Sequence, residues 1–182
     1  VREMALLYPL DTRRVVAIGH SAGGHLAFWL AARPRIAAGG PLAGSHEAQG
    51  ETGAPLELVG AISLAGVLDL EMAWKLHLSN DAVVELLGKP WPDAPDRYAA
   101  ASPASLLPLG VPQVLLHGTR DIHVPIEISR SYAVRARAAH DPVEYIELEG
   151  IDHFDPIDPH SNAWSVTIKA LERLLKDGHH LS

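Results

Sequence analysis

The pentapeptide Gly19-His20-Ser21-Ala22-Gly23 constrains this chain more than any other stretch, because of what stands on either side of it. Arg14-Val15-Val16-Ala17-Ile18-Gly19 is a short apolar run ending in glycine, the pattern of a strand buried on both faces in a parallel sheet. Residues Ala22 to Ala32 then read as a helix that is apolar nearly all round, with Leu26, Phe28, Trp29 and Leu30, and Pro34 closes it. A G-x-S-x-G sequence between a strand and a helix requires a sharp turn, whose glycines leave room for the bend and whose serine hydroxyl is lifted clear at the carboxyl edge of the sheet. The helix aims its amino end at the same spot, so the Ala22 N–H is the expected donor to negative charge developing beside Ser21. The plainer alternative is a Gly-Ser turn in which Ser21 only caps a buried helix. The strand before it and the helix after it favour a reactive hydroxyl.

Further along, the chain alternates strands and helices. Pro34 to Glu57 is rich in Gly, Pro and Ala and reads as a long surface excursion within one domain. Leu58 to Val67 is a second strand-like run, followed by Asp69. Leu70 to Leu109 mixes the amphipathic stretch Ala82 to Leu87 with Lys89-Pro90-Trp91-Pro92 and Pro95, which predicts small lid-like helices. A third strand is expected over Val111 to Gly118, and a helix from Pro125 to about Ala139. Val143 to Leu148 is a fourth strand, with Glu144 and Glu147 marking it as a sheet edge. A last helix over about Ser161 to Lys176 places Trp164, Ile168, Leu171 and Leu175 on one face. This rhythm predicts a parallel sheet with right-handed crossovers and helices on both faces.

A serine hydroxyl is a weak nucleophile at neutral pH and needs a base within reach, held in its tautomer by a carboxylate. After G-x-S-x-G the usual chain order is acid, then histidine. Asp121, in His117-Gly118-Thr119-Arg120-Asp121-Ile122-His123-Val124-Pro125, follows the third strand and is the candidate acid, with Asp69 in reserve. His153, in Gly150-Ile151-Asp152-His153-Phe154, follows the fourth strand and is the candidate base. Both fall at the edge where ligands bind in open α/β sheets. Against these stand a turn aspartate before a helix and a histidine that only packs in its loop. The chain has 11 histidines, and His20, His25, His117, His123, His179 and His180 read as ordinary surface or hydrogen-bonded residues. Asp152, Asp155, Asp158, His153 and His160 are weak as metal ligands, since Pro156 and Pro159 break any regular ligand face.

Composition limits the partners. A formal net charge of −7 and the lack of a basic block argue against nucleic acid and anionic membranes. With no cysteine, thiolate chemistry and disulfides are excluded. No stretch approaches the roughly 20 apolar residues of a bilayer span. Val1 to Pro9 lack the features of a secretory signal, so a cytoplasmic location is expected, subject to sequence upstream of Val1.

Together the three motifs resemble the α/β-hydrolase superfamily, and within it small carboxylesterases, with similarity to kynurenine formamidase-like enzymes and prolyl-oligopeptidase-type hydrolases. Gly19 to Ala27 looks like that family's nucleophile elbow, His117 to Pro125 like its acid loop, and Gly150 to Phe154 like its histidine loop. The resemblance implies a serine hydrolase acting on a small ester or amide through an acyl-enzyme, with Ser21, Asp121 and His153 as its triad and no cofactor or metal. Residues 1–182 would form one such domain, with a lid-like insertion at about 70–109. Family members carry further strands before the elbow, and a loop there supplies a second oxyanion donor. Only some 20 residues precede Ser21 here, so the chain resembles the carboxyl-terminal two-thirds of a hydrolase. Loss of one donor typically costs about 10² to 10³ in rate. The first strand is then expected to be an open apolar edge, suited to self-association or, in the rival reading, to a non-catalytic role pairing with a partner chain.

Overall fold

A computed structural model describes residues 1–36 and 56–177. Most of the Gly- and Pro-rich excursion predicted between Pro34 and Glu57, and the His179-His180 tail, lie outside the described residues. A short helix α1 (Arg2–Ala5) leads to strand β1 (Val16–His20) and helix α2 (Ala22–Ala32). Strand β2 (Gly60–Leu64) is followed by the short helices α3 (Leu70–Lys75), α4 (Ala82–Leu87) and α5 (Pro95–Ala101). Strand β3 (Gln113–Gly118), helix α6 (Glu127–Ala138), strand β4 (Val143–Leu148) and helix α7 (Asn162–Asp177) complete the order.

The four strands form one parallel sheet in the order β1-β2-β3-β4. Ile18 lies opposite Ile62, Ile62 opposite Val114 and Val114 opposite Glu144. Because all strands run the same way, the loops that leave β1, β3 and β4, carrying Ser21, Asp121 and His153, emerge along one rim. Every residue of β2 and β3 is buried, whereas β1 and β4 are only partly so. Such a profile marks two central and two edge strands. Among the described residues β1 pairs only with β2, and its Ile18 is 41% exposed.

Alternating residues split the core into two layers. Ala61 and Leu115 face α2 and α6, where Phe28, Ile128 and Tyr132 are fully buried. Ile62, Leu64, Val114 and Leu116 face α7 through Ala170 and Leu174. The sheet is therefore sandwiched, and the near-uniform apolarity of β2 and β3 follows from cover on both sides. Residues Leu70, Val83, Tyr98 and Ala101 make a smaller cluster among the short helices. That cluster is tied to α2, since His25 Nε2 donates to Ala101 O at 2.8 Å and Trp29 Nε1 to Ala100 O at 3.1 Å.

Two glycines hold loops at distances no side chain tolerates. A Cβ on Gly19 would stand 2.0 Å from Gly23 O, and one on Gly118 would stand 2.2 Å from Ile151 O. The first fixes the elbow and the second presses the histidine loop onto the end of β3.

Phe28 lies edge-on to Tyr132, with ring centroids 5.5 Å apart, and joins α2 to α6 over the sheet. Phe28→Ala should cost about 3–5 kcal/mol of unfolding free energy, from lost transfer and the residual cavity. Urea denaturation with an unchanged m-value checks this, and a loss below about 1 kcal/mol would contradict the packing.

Candidate active site

Ser21 occupies the single residue between β1 and α2 and has φ 54° and ψ −121°. A non-glycine residue with that backbone is strained by about 1–3 kcal/mol and persists only where its surroundings impose it. Here they do: Ser21 N–H donates to Leu64 O at 2.9 Å, and Ser21 O accepts from Gly24 N at 3.0 Å and Val67 N at 3.3 Å. The Ser21 side chain makes no hydrogen bond among the described residues, so it does not act as the helix cap of the plainer reading. Ala22 is the first residue of α2, and its N–H has no acceptor within the helix.

Asp121 follows β3 in a tight turn. Its Oδ1 accepts from His123 N and Val124 N, both at 2.8 Å. Its Oδ2 accepts from His153 Nδ1 at 2.6 Å, and the carboxylate is fully buried. Burial alone would raise its pKa, but the Val124 N–H, the His153 bond and the His123 N–H together hold it below the ordinary 3.8. With Nδ1–H committed to a carboxylate, His153 keeps its lone pair on Nε2, which is the tautomer a base requires. The imidazole is 4% exposed and boxed by the rings of His20, His123 and Phe154 at 4.4, 5.1 and 5.1 Å.

The structure thus joins Asp121 to His153 directly and brings the elbow alongside. His20, the neighbour of Ser21, donates from Nε2 to His153 O at 2.8 Å. A hydrogen bond between the Ser21 hydroxyl and His153 is not formed in this state. A cavity of about 370 Å³ opens beside His153, lined by Arg120, Ile122, His123, Asp152, His153 and Phe154.

Asp69, the reserve acid, is engaged elsewhere: Oδ1 caps α3 through Met72 N at 3.0 Å and Oδ2 pairs with Arg135 at 2.9 Å. The carboxylates of the 152–158 run serve local turns. Asp152 Oδ1 accepts from Phe154 N and Asp155 N, Asp155 Oδ2 from Asp152 N, and Asp158 Oδ1 from His160 N.

Sequence reasoning passed over His117. It is fully buried under Asp121, with Nε2 3.0 Å from Val124 O and 3.2 Å from Asp121 Oδ2. Its Nδ1 accepts from Ser129 Oγ at 2.8 Å. Burial lowers its pKa, so the ring is neutral and its Nε2–H turns a partial positive charge toward Val124 O and Asp121. Its place as the penultimate residue of a buried strand, four residues before Asp121, was the available signal.

A parallel sheet covered by helices on both faces, with a serine on a strained strand-to-helix turn, is the α/β-hydrolase arrangement. The BD-FAE family profile matches residues 1–135, and the chain belongs to that family. A thermophilic esterase from the Planctomycetes species Thermogutta terrifontis has a similar structure, at TM-score 0.68 and 27% identity over 97% of this chain. The chain spans 59% of that esterase's length. The same esterase is also known phosphonylated by sarin, at 25% identity. A truncated carbohydrate esterase from gut microbiota (TM-score 0.74, 22% identity, 97% of this chain and 65% of that one) shares the fold. So does an acylaminoacyl peptidase from Pyrococcus horikoshii (TM-score 0.72, 18% identity, 96% and 26%). No curated protein sequence matches the chain. No helix among the described residues is long and apolar enough to cross a membrane.

Burial lowers the pKa of His20, His25 and His117 below the ordinary 6.5. Each then binds protons more readily unfolded than folded, so stability is full above pH 6.5 and is lost as pH falls toward the depressed folded values. Urea midpoints measured from pH 8 to pH 5 should therefore decline below about pH 6.5. A flat profile over that range would mean these rings are not buried as described.

Proposed function

We propose that the chain carries the triad of a serine hydrolase that cleaves a small ester or amide through an acyl-enzyme. The observation that carries this reading is the 2.6 Å bond between a buried carboxylate and His153, on the same rim as a strained Ser21 whose hydroxyl has no hydrogen-bond partner among the described residues. Ser21 Oγ attacks the substrate carbonyl carbon while His153 Nε2 takes the hydroxyl proton. Asp121 stays ionised and stabilises the imidazolium through Nδ1–H. The carbonyl oxygen becomes an oxyanion facing the Ala22 N–H and the positive end of α2. When the tetrahedral intermediate collapses, the bond to the alcohol or amine breaks and His153 returns its proton to that leaving group. Water, deprotonated by the same imidazole, then attacks the acyl-enzyme and frees Ser21.

Membership of the BD-FAE family and the likeness to the Thermogutta esterase support hydrolysis. The phosphonylation of that esterase by sarin supports a nucleophilic hydroxyl in particular, because an organophosphonate traps an activated oxygen in place of an acyl group. This reading requires no metal or cofactor. It takes residues 1–182 as a single domain, with α3 to α5, within the lid-like 70–109 segment, flanking α2. The substrate is a small molecule.

Ser21→Ala should abolish labelling by a fluorophosphonate probe, and labelling that persists unchanged in this variant rejects Ser21 as the nucleophile. Asp121→Asn should leave the fold intact and lower kcat by about 10⁴, since the amide favours the wrong imidazole tautomer. A fall below tenfold on a nitrophenyl ester would show that Asp121 does not orient the base.

A further inference from the structure

The histidine loop is tied closely to the acid side. Gly150 N donates to Thr119 Oγ1 at 2.9 Å, Arg120 N to Ile151 O at 3.0 Å, and Thr119 N to Leu148 O at 3.0 Å. Gly118 packs directly beneath Ile151. With the Asp121–His153 bond these contacts bind residues 118–124 and 148–154 into one unit at the ends of β3 and β4. Ser21 belongs to a different unit, the turn between β1 and α2, held by Leu64 and Val67. Two strand spacings separate β1 from β3, so small errors in sheet twist would accumulate in the gap between hydroxyl and imidazole.

A single hydrogen bond among the described residues joins residues 19–23 to residues 149–154, the one from His20 Nε2 to the main-chain oxygen of His153. It grips the backbone of the base itself, from the residue next to the nucleophile. We propose that His20 is a positioning residue, which sets the separation of Ser21 Oγ from His153 Nε2 by clamping the acid–base unit onto the elbow. This inference rests on the hydrolytic reading for its kinetic consequence but not for its geometry.

The chemistry of the side chain suits the task. His20 is half-buried and its ring stands 4.4 Å from that of His153, tilted by 50°. Phe154 closes the other side at 5.9 Å. A planar, short side chain with two rotatable bonds loses little freedom in holding this bond, and as a neutral ring it does not oppose the positive charge that His153 acquires during turnover. A lysine would donate equally well but would place a full charge against that imidazolium.

The test compares His20→Leu, which removes the donor, with His20→Gln, whose amide nitrogen falls near the position of Nε2. On a nitrophenyl ester, His20→Leu should lower kcat by about 10², the scale expected for a misplacement of about 1 Å, with KM changed less than about twofold. Fluorophosphonate labelling of Ser21 should slow in parallel. His20→Gln should recover activity to within about fivefold of the parent chain, as one restored hydrogen bond allows. The Nδ1–H resonance of His153, read by nitrogen-15 NMR, should persist in both variants, because the acid–base unit does not depend on His20. General collapse of the loop would erase that resonance and would defeat the proposal, as would a His20→Leu variant within twofold of the parent, or a Gln variant no better than Leu. If the parent chain neither hydrolyses nor labels, the hydrolytic reading fails, and the clamp is judged from crystal structures alone. The Oγ–Nε2 separation should then widen by about 1 Å in His20→Leu and stay unchanged in His20→Gln, and equal separations in the two would overturn it.

Discussion

The short bond between Asp121 and His153 is the interaction around which the rim is arranged. A carboxylate with no exposed side-chain surface is costly to keep ionised, and the cost is offset only if every lone pair finds a donor. Two backbone N–H groups occupy Oδ1, and His153 with His117 beside it faces Oδ2. The turn after β3 supplies the amides because Asp121 stands two and three residues before them. The buried end of the same strand supplies His117. The carboxylate thus remains a strong acceptor at neutral pH while shielded from solvent, where its pull on the imidazole is greatest.

The parallel sheet gives this arrangement its direction. Carrying all loops out of the carboxyl ends of β1, β3 and β4 to one rim brings together residues separated by 100 and 132 positions in sequence. The same topology creates its weakest feature, since Ser21 and the Asp121–His153 pair ride on different strands. Close contacts at Gly19 and Gly118 remove slack within each unit, and a contact from one unit to the other is needed to remove slack between them. Between the elbow and the histidine loop no backbone–backbone hydrogen bond is made among the described residues, so the link there falls to a side chain, His20.

Much of this was legible in the sequence. Helix α2 falls on the predicted Ala22–Ala32, and β4 on the predicted Val143–Leu148, because apolar runs bounded by glycine, proline and charge announce their own limits. The three motifs state their order and their rim. The roles of individual side chains were less accessible. Asp69 occupies the expected place after β2, yet capping α3 and pairing with Arg135 are decided by where α3 and α6 pack, which no local pattern encodes. His117 read as one more hydrogen-bonded histidine, since its burial depends on α6 lying over the strand. His20 was hidden for a related reason: its partner lies 133 positions away and is a backbone oxygen, an acceptor that every residue carries.

The three lowered histidines also separate stability from chemistry. His25 and His117 are buried among elements that pack the fold, and their neutral state is a condition of that packing. His153 is as deeply placed, yet it faces a carboxylate on one side and a cavity on the other. What sets residue 153 apart among the buried rings of this rim is that geometry, a carboxylate on Nδ1 and an open cavity beside the ring, whereas both ring nitrogens of His117 are taken up by Ser129 and Val124.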